Sequence, residues 1–273
     1  WLGDPVVPGW ITPTLPFTLA YLNGFEKGPD RIQAMIALQL LVAFVFIFMG
    51  ITKLADKFVN GVPNSIKGGI LIAAPITVLQ GQLSDGSQLM TAPVATLAGT
   101  LLLAFLSFSP FCEKNRSKYK ILDIMAKYGN LFPYLIAMVA GVALGELSKP
   151  VLELGTVIRI PDFSNIFHTV SIFAVGFPPL SKFISAIPLA LICYVLAFGD
   201  FVTSKTLVEE AQESRSDEYI DFNSSRSNLI SGLRNLILAI FAPFPPLAGP
   251  LWVGMTVSVA MRYKEGKKAM KSL

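Results

Sequence analysis

One carboxylate lies inside an apolar stretch of the chain. Asp200 closes a hydrophobic run that begins at Phe183. A charge at membrane depth costs several kcal/mol unless it faces a cavity or a partner, so Asp200 is a candidate for binding a solute or an ion. Two structural alternatives stay open. Asp200 could pair with Lys205, or it could lie near the cytoplasmic edge, about 25 Å of helix beyond Phe183.

Two tryptophans follow Pro-rich stretches that cannot be continuous helix. Pro5–Leu22 passes through Pro and Gly to Trp10, and Ala242–Tyr263 passes through four prolines to Trp252. Proline removes a backbone donor and clashes with the preceding turn, so only the later part of each stretch can coil freely. We expect the backbone after the breaks to border a solute site with Asp200. These residues are Trp10, Ile11, Thr12, Leu251, Trp252, Val253 and Gly254.

An interrupted apolar segment is informative because bare backbone facing lipid would leave its polar groups unsatisfied. Such a segment is buried in protein or lines a cavity, and a half-helix that begins at membrane depth presents free N–H groups and a dipole to a solute. The alternative is a Pro-rich loop before an ordinary short helix, with each Trp marking a membrane interface. Hydroxyls of Thr203, Ser204 and Thr206 could serve the site or bond their own helix.

The remaining polar residues predict neither catalysis nor metal binding. His168 is the only histidine, expected in an exposed loop, and Cys112 and Cys193 have no metal or redox spacing. We therefore expect no enzyme, cofactor or metal. Arg234 is expected to extend to the cytoplasmic surface. The charged segment Glu209–Arg226 is expected to be a solvated connector.

Composition places the chain in a membrane. It has 273 residues, 53% of them hydrophobic and 15% charged, whereas soluble domains are usually about a quarter charged. A net charge of +4 is not the pattern of a nucleic-acid-binding protein. The chain begins with Trp1 and has no basic leader, so we expect it to be a piece of something longer.

Apolar runs of suitable length predict eight crossings. Six are uninterrupted: Ala34–Leu54, Ile66–Leu79, Ala92–Phe111, Leu131–Leu147, Phe183–Phe201 and Asn228–Phe241. The two broken stretches supply the others. Small residues at Ala137, Gly141 and Gly145 are expected to allow close helix packing. With the ends at Lys53, Glu113, Lys205 and Arg262 on one side, that side carries 17 of the 22 Lys and Arg, and the positive-inside rule makes it cytoplasmic.

With these residues placed, the chain resembles the superfamily of nucleobase/ascorbate permeases and sulfate (SulP-type) permeases. Members have fourteen spans in two inverted repeats, and their third and tenth spans are short strands leading into half-helices. Pro5–Leu22 resembles the third span, Pro245–Met261 the tenth, and Asn228–Phe241 the ninth. Asp200 falls where nucleobase permeases carry an acidic substrate-contacting residue in the eighth. The acidic residue or the Ser-Arg pair usual in the tenth is replaced by Leu251–Gly254, so neither branch's substrate carries over.

The resemblance implies an all-α, multi-span secondary transporter of the inner (plasma) membrane, working by alternating access on a small anionic or nucleobase-like solute. Proton or sodium coupling through Asp200 is compatible with it, as is a homodimer, with the lipid bilayer as the other partner. The expected parts are core segments 1–60 and 183–263, gate spans 61–148, an extracellular connector 149–182 and a basic tail 264–273. A non-transporting scaffold or channel subunit is the alternative, and a membrane-embedded enzyme comes third.

Overall fold

The structure is a computed structural model, and it describes residues 8–61, 63, 65, 76, 79–83, 86–115, 118–128, 131–150, 162–250 and 253–270. The described residues are mostly helical, and no β-strand occurs among them, which confirms the all-α fold class. The longer helices are α1 (Leu15–Asn23), α2 (Pro29–Ile51), α3 (Leu54–Gly61), α5 (Pro93–Phe108), α8 (Leu131–Ala143), α11 (Leu180–Glu213), α12 (Ser224–Phe241) and α13 (Val253–Lys264). The shorter ones are α4 (Gln88–Thr91), α6 (Pro110–Asn115), α7 (Lys120–Lys127), α9 (Phe163–Val170), α10 (Ile172–Val175) and α14 (Lys267–Met270).

In the described part of the chain two helices, α2 and α11, are long and apolar enough to cross a membrane. The predicted span Ala34–Leu54 is therefore found, shifted toward its N-terminus. The shift has a local cause: Gly28 adopts φ 100°, Pro29 provides the preset dihedral of a first helical residue, and Asp30 carries a negative charge in the first turn. Most of the predicted span Ile66–Leu79 lies outside the described residues.

Helix α11 is much longer than the predicted span Phe183–Phe201. It begins directly after Pro179 and continues twelve residues past Phe201 to Glu213. The prediction was wrong because it ended the helix where hydropathy falls. The polar continuation still favours helix, and the ion pair of Lys205 with Glu209, at 3.5 Å and one turn apart, supports it. Asp200 is thus well inside the helix, about 20 Å from its C-terminal end.

The chain divides into two compact units. The first contains Trp1–Ala74 and Ile160–Leu273, and the second contains Pro75–Arg159. In the first unit, α2 packs against both α11 and α12, and α11 also packs against α13. The contact between α2 and α12 is very close: a Cβ at Gly232 would lie 2.9 Å from the amide nitrogen of Ile47 and 3.0 Å from the carbonyl oxygen of Ala43.

The second unit is built around the pair α5 and α8. Small residues allow the approach, as predicted for Ala137 and Gly141: a Cβ at Gly99 would lie 3.0 Å from that of Ala137, and one at Gly141 would lie 2.8 Å from that of Ala95. The same prediction was wrong for Gly145, because a Cβ there would meet no described atom within 4 Å. The Glu146 carboxylate accepts hydrogen bonds from the first amides of α5 at 2.8 and 2.9 Å. The predicted span Ala92–Phe111 is two helices, because the backbone is extended just before the second helix begins.

The predicted connector 149–182 contains helical turns. Helix α9 is capped at its N-terminus by Asp162, whose side chain accepts from the Asn165 amide at 2.9 Å. His168 is exposed, as expected, but it lies in this helix and not in a loop. Residues 151–161 of the predicted connector lie outside the described residues.

Candidate functional site

The two Pro-broken segments pair with each other. Trp10 and Ala248 form an isolated antiparallel β-bridge, although the residues are far apart in the sequence. The flanking hydrogen bonds run from Ile11 N to Leu247 O at 2.8 Å and from Gly249 N to Gly9 O at 3.0 Å. Within the described residues of the two segments, the strands expected from the resemblance amount to this one bridge. Since Trp10 and Ala248 are the non-hydrogen-bonded pair, both polar backbone groups of Ala248 point away from the first segment.

A buried amide satisfies those two groups. Asn235 of α12 donates from Nδ2 to the Ala248 carbonyl at 2.7 Å, and its Oδ1 accepts from the Ala248 amide at 3.0 Å. Gln39 of α2 accepts from the Phe244 amide at 3.2 Å and donates to Asn235 at 3.4 Å. Both side chains are fully buried. Two helices thus hold the second broken segment by side chains that replace its missing backbone partners.

A cation completes the arrangement. The Arg234 guanidinium donates to the carbonyl of Gly249 at 2.9 Å and to that of Gly9 at 3.3 Å, one acceptor from each broken segment. It also lies 5.6 Å from the centre of the Trp10 ring, which meets Phe244 edge-on at 5.3 Å. The expectation that Arg234 extends to the membrane surface was wrong. The helix begins at Ser224, so Arg234 is at its middle, where carbonyls without helical partners are the nearest acceptors.

Helices leave the bridge on both segments. A 3₁₀ turn at Thr12–Thr14 leads into α1, and α13 begins at Val253, five residues after Ala248. Because the segments are antiparallel, their chains leave the bridge at opposite ends. Thr14 is fully buried and donates to the Ile11 carbonyl at 2.6 Å.

The predicted site residues can now be placed. Ile11 is fully buried, while Trp10 is 40% exposed and Thr12 is exposed. Leu251 and Trp252 lie outside the described residues. Val253 and Gly254 are the first two residues of α13, and of these two the structure describes the backbone alone. The structure therefore brings the predicted first segment against residues just before the predicted second one.

Asp200 lies on the buried stripe of α11. Ala197 and Ser204, one turn to either side, are fully buried, and Asp200 is half-buried. Ala197 and Phe201 belong to the same hydrophobic core as Ile11 and Leu247 of the bridge. Within the described part of the chain, the Asp200 carboxylate has neither a hydrogen bond nor an ion pair.

Three residues with hydroxyl groups follow Asp200 within two turns of the same helix. Thr203 and Thr206 donate to the carbonyls four residues earlier, at 3.0 and 3.1 Å, and are occupied by their own backbone. The Ser204 hydroxyl is buried and finds no partner among the described residues. One turn of helix thus presents a carboxylate and a hydroxyl that both lack a described partner.

The segment after α11, expected to be a solvated connector, instead closes over the end of α13. Arg215 donates to both carboxylate oxygens of Asp217, at 2.6 and 2.8 Å, and to the Tyr263 carbonyl at 3.2 Å. Its guanidinium also lies 4.4 Å from the Tyr263 ring centre. The hydrogen bonds from Arg215 lower the pKa of the Asp217 carboxyl, and the same pairing raises the pKa of Arg215.

Sequence reasoning missed the three polar side chains that organise the bridge, Gln39, Arg234 and Asn235. A rule was available: polar residues inside apolar spans are expensive and mark contacts with other polar groups. Applied to uncharged amides as well as to carboxylates, it would have selected Gln39 and Asn235. Their partners could not have been predicted, because every residue has a backbone carbonyl and residue type does not show which carbonyl accepts.

No protein-family model matches the chain, and no curated protein matches it significantly. The resemblance to nucleobase and sulfate permeases therefore stays a prediction from the sequence.

Proposed function

We propose that this chain is part of a secondary active transporter that moves a small anionic or nucleobase-like solute by alternating access. The observation that carries the proposal is the pairing of the two Pro-broken segments at Trp10 and Ala248. Interrupted segments that meet between repeats are the best pointer in a sequence to a transporter site. Here side chains of two helices supply hydrogen-bond partners to the interrupted backbone at Phe244, Ala248 and Gly249, and partners of this kind are what non-helical backbone at membrane depth requires.

The bridge suits transport better than a scaffold role. An uninterrupted helix would serve a scaffold and would need no buried Asn or Arg. In this chain Gln39, Arg234 and Asn235 are all engaged in holding non-helical backbone. The arrangement keeps the start of a helix next to the break, where its free N–H groups favour an anion or a carbonyl-rich ring.

Asp200 and Ser204 provide the proposed coupling group. A carboxylate without a described partner, next to a buried hydroxyl without one, matches the oxygen ligands that a sodium ion or a transferred proton would use. The resemblance assigns residues 1–60 and 183–263 to the solute-binding core and residues 61–148 to the gate.

The proposal is tested by solute-dependent stabilisation of the purified protein in detergent. We expect one class among nucleobases, sulfate, dicarboxylates and bicarbonate to raise its melting temperature. Gly254→Leu should remove that shift while the ligand-free melting temperature stays close to wild type. Asp200→Asn should remove the dependence of the shift on pH or sodium, because it keeps the shape and removes the charge.

A matched control is Glu209→Gln, which neutralises an exposed carboxylate on the same helix. It should leave the solute-dependent shift intact. If no solute class stabilises the protein, or if the Gly254 and Glu209 variants respond alike, transport is refuted in favour of a scaffold or channel subunit.

The proposed multi-pass topology in the inner (plasma) membrane has its own test. Single cysteines at Ser117 and Asp162 should be labelled by an impermeant maleimide from opposite sides of the membrane. The reason is the unequal distribution of Lys and Arg between the two sets of ends. Labelling of both positions from outside the cell would overturn this topology.

A further inference from the structure

A cleft of about 300 Å³ lies in the first unit, and none of the residues proposed to bind the solute is among those that line it. It is bounded by the end of α1, the start of α2, the end of α9 and the second broken segment. Most of its lining is apolar. The apolar residues are Leu22, Ile32, Met35, Val170, Pro243 and Pro245. The wall formed by Pro243 and Pro245 belongs to the segment that pairs with Trp10, so an occupant of the cleft would touch that segment directly.

Two cations line the same cleft. Lys27 is exposed in the turn before α2, and Arg31 is the third residue of α2. Neither forms an ion pair with any residue in the described ranges, whereas their neighbour Asp30 pairs with Lys182 at 2.6 Å. The Arg31 guanidinium donates one hydrogen bond to the Phe25 carbonyl at 3.0 Å. Its Nε is buried without a partner among the described atoms.

The location favours an amphiphile over a small free anion. Helix α2 is long and apolar enough to span a membrane, so its first turn lies at the level of lipid headgroups if it does. Basic pockets between spanning helices bind anionic headgroups, as known best from the cytoplasmic side. The topology proposed above places this cleft at the opposite leaflet, so its ligand would be an anionic lipid of that leaflet. A free inorganic anion would satisfy Lys27 and Arg31 but would leave the apolar wall unfilled.

We propose that this cleft binds one anionic phospholipid, with its phosphate at Lys27 and Arg31 and the first part of an acyl chain against Ile32, Met35 and Pro245. The proposal rests on the membrane location of α2, and it does not require transport. Lipid bound there would contact the second broken segment at Pro243 and Pro245.

The test measures lipid binding to the purified protein in a neutral detergent. Native mass spectrometry and thermal unfolding are recorded with dioleoylphosphatidylglycerol, with dioleoylphosphatidylcholine and with inorganic phosphate alone. We expect retention of one phosphatidylglycerol and a higher melting temperature with that lipid only. In Lys27→Gln/Arg31→Gln the apparent affinity should fall about thirtyfold, from the loss of two basic residues at the membrane surface.

A second variant removes the space and keeps the charge. Val170→Trp should fill the cleft and prevent retention of the lipid even if the double variant proves too unstable to study. The control is Lys118→Gln/Lys268→Gln, which makes the same change in net charge at exposed positions and should bind as wild type.

Equal stabilisation by both lipids would overturn the proposal, because the headgroup charge would not be recognised. Stabilisation by phosphate alone to the level of phosphatidylglycerol would overturn it in favour of a free-anion site. Unchanged lipid retention in Val170→Trp would also refute it. None of these results bears on the solute-dependent shift, so failure here is distinguishable from failure of the transport proposal.

Discussion

Replacing Asn235 by Leu removes the side chain that holds the second broken segment. The change keeps the approximate volume and deletes the hydrogen bonds to both backbone groups of Ala248, at 2.7 and 3.0 Å. Ala248 is fully buried, and its polar groups point away from the other segment. They therefore have no alternative partner in the bridge itself.

The size of the effect follows from those two groups. Each buried backbone group left without a partner costs about 1–3 kcal/mol, so the pair costs about 2–6 kcal/mol. The added apolar side chain recovers part of this at about 25 cal/mol per Å² of buried surface. We expect a net loss of about 2–5 kcal/mol in the free energy of unfolding.

The assay is unfolding by sodium dodecyl sulfate in mixed micelles, followed by circular dichroism. Asn228→Leu is the matched control, because Asn228 is a fully buried Asn on the same helix. Its side chain accepts from the Tyr194 hydroxyl at 3.2 Å and donates to the Ser224 carbonyl of its own helix at 2.8 Å, and neither partner belongs to the bridge. This variant should cost about 0.5–1.5 kcal/mol. Hydrogen exchange should accelerate at the Ile11 and Gly249 amides only in the Asn235 variant. Equal costs for the two variants, with no change in exchange, would refute the role of Asn235.

Three further predictions concern packing and charge. Gly232→Ala should lower the free energy of unfolding by about 1–3 kcal/mol, since its Cβ would meet helix α2 backbone at 2.9 Å; Gly61→Ala, with open space around it, is the control. The ion pair of Asp217 with Arg215 lowers the folded pKa of Asp217, so its stabilisation is present above the ordinary Asp pKa and is lost as the pH falls through that lower value. Asp217→Asn should flatten this acid-side slope of melting temperature against pH, and an unchanged slope would count against the pairing. Lys182→Met should destabilise by about 1–3 kcal/mol in the same micelle assay, because its buried ammonium donates to three oxygens at the start of α2; wild-type stability would contradict this.

The broad arrangement of the candidate site was accessible from the sequence. Proline positions show where helices must break, and two broken apolar stretches predict a meeting point. The partners were not accessible in the same way. Arg234 contacts carbonyls of Gly9 and Gly249 that lie far from it in sequence, and nothing in the residue types marks those carbonyls as acceptors.

The predicted ends of the helices were wrong for a different reason. Hydropathy locates the apolar part of a helix and says nothing about where helical hydrogen bonding stops. Helix α11 therefore continued beyond Phe201, because the following polar residues are themselves good helix formers. The predicted span Ala92–Phe111 had the opposite error, since Pro110 starts a new helix in an unbroken apolar run.

The bridge also has a consequence for the time course of synthesis. Gly9 and its partner Gly249 are separated by about 240 residues, which a ribosome adds in roughly 10–50 s at typical rates. During that interval the backbone around Trp10 has been made, and its partners have not. A nascent chain stopped before Asn235 should therefore be cut by protease near Trp10, and protection should appear only once Gly249 has emerged. The first segment of the chain thus depends on the insertion machinery, or on water, until one of the last helices arrives.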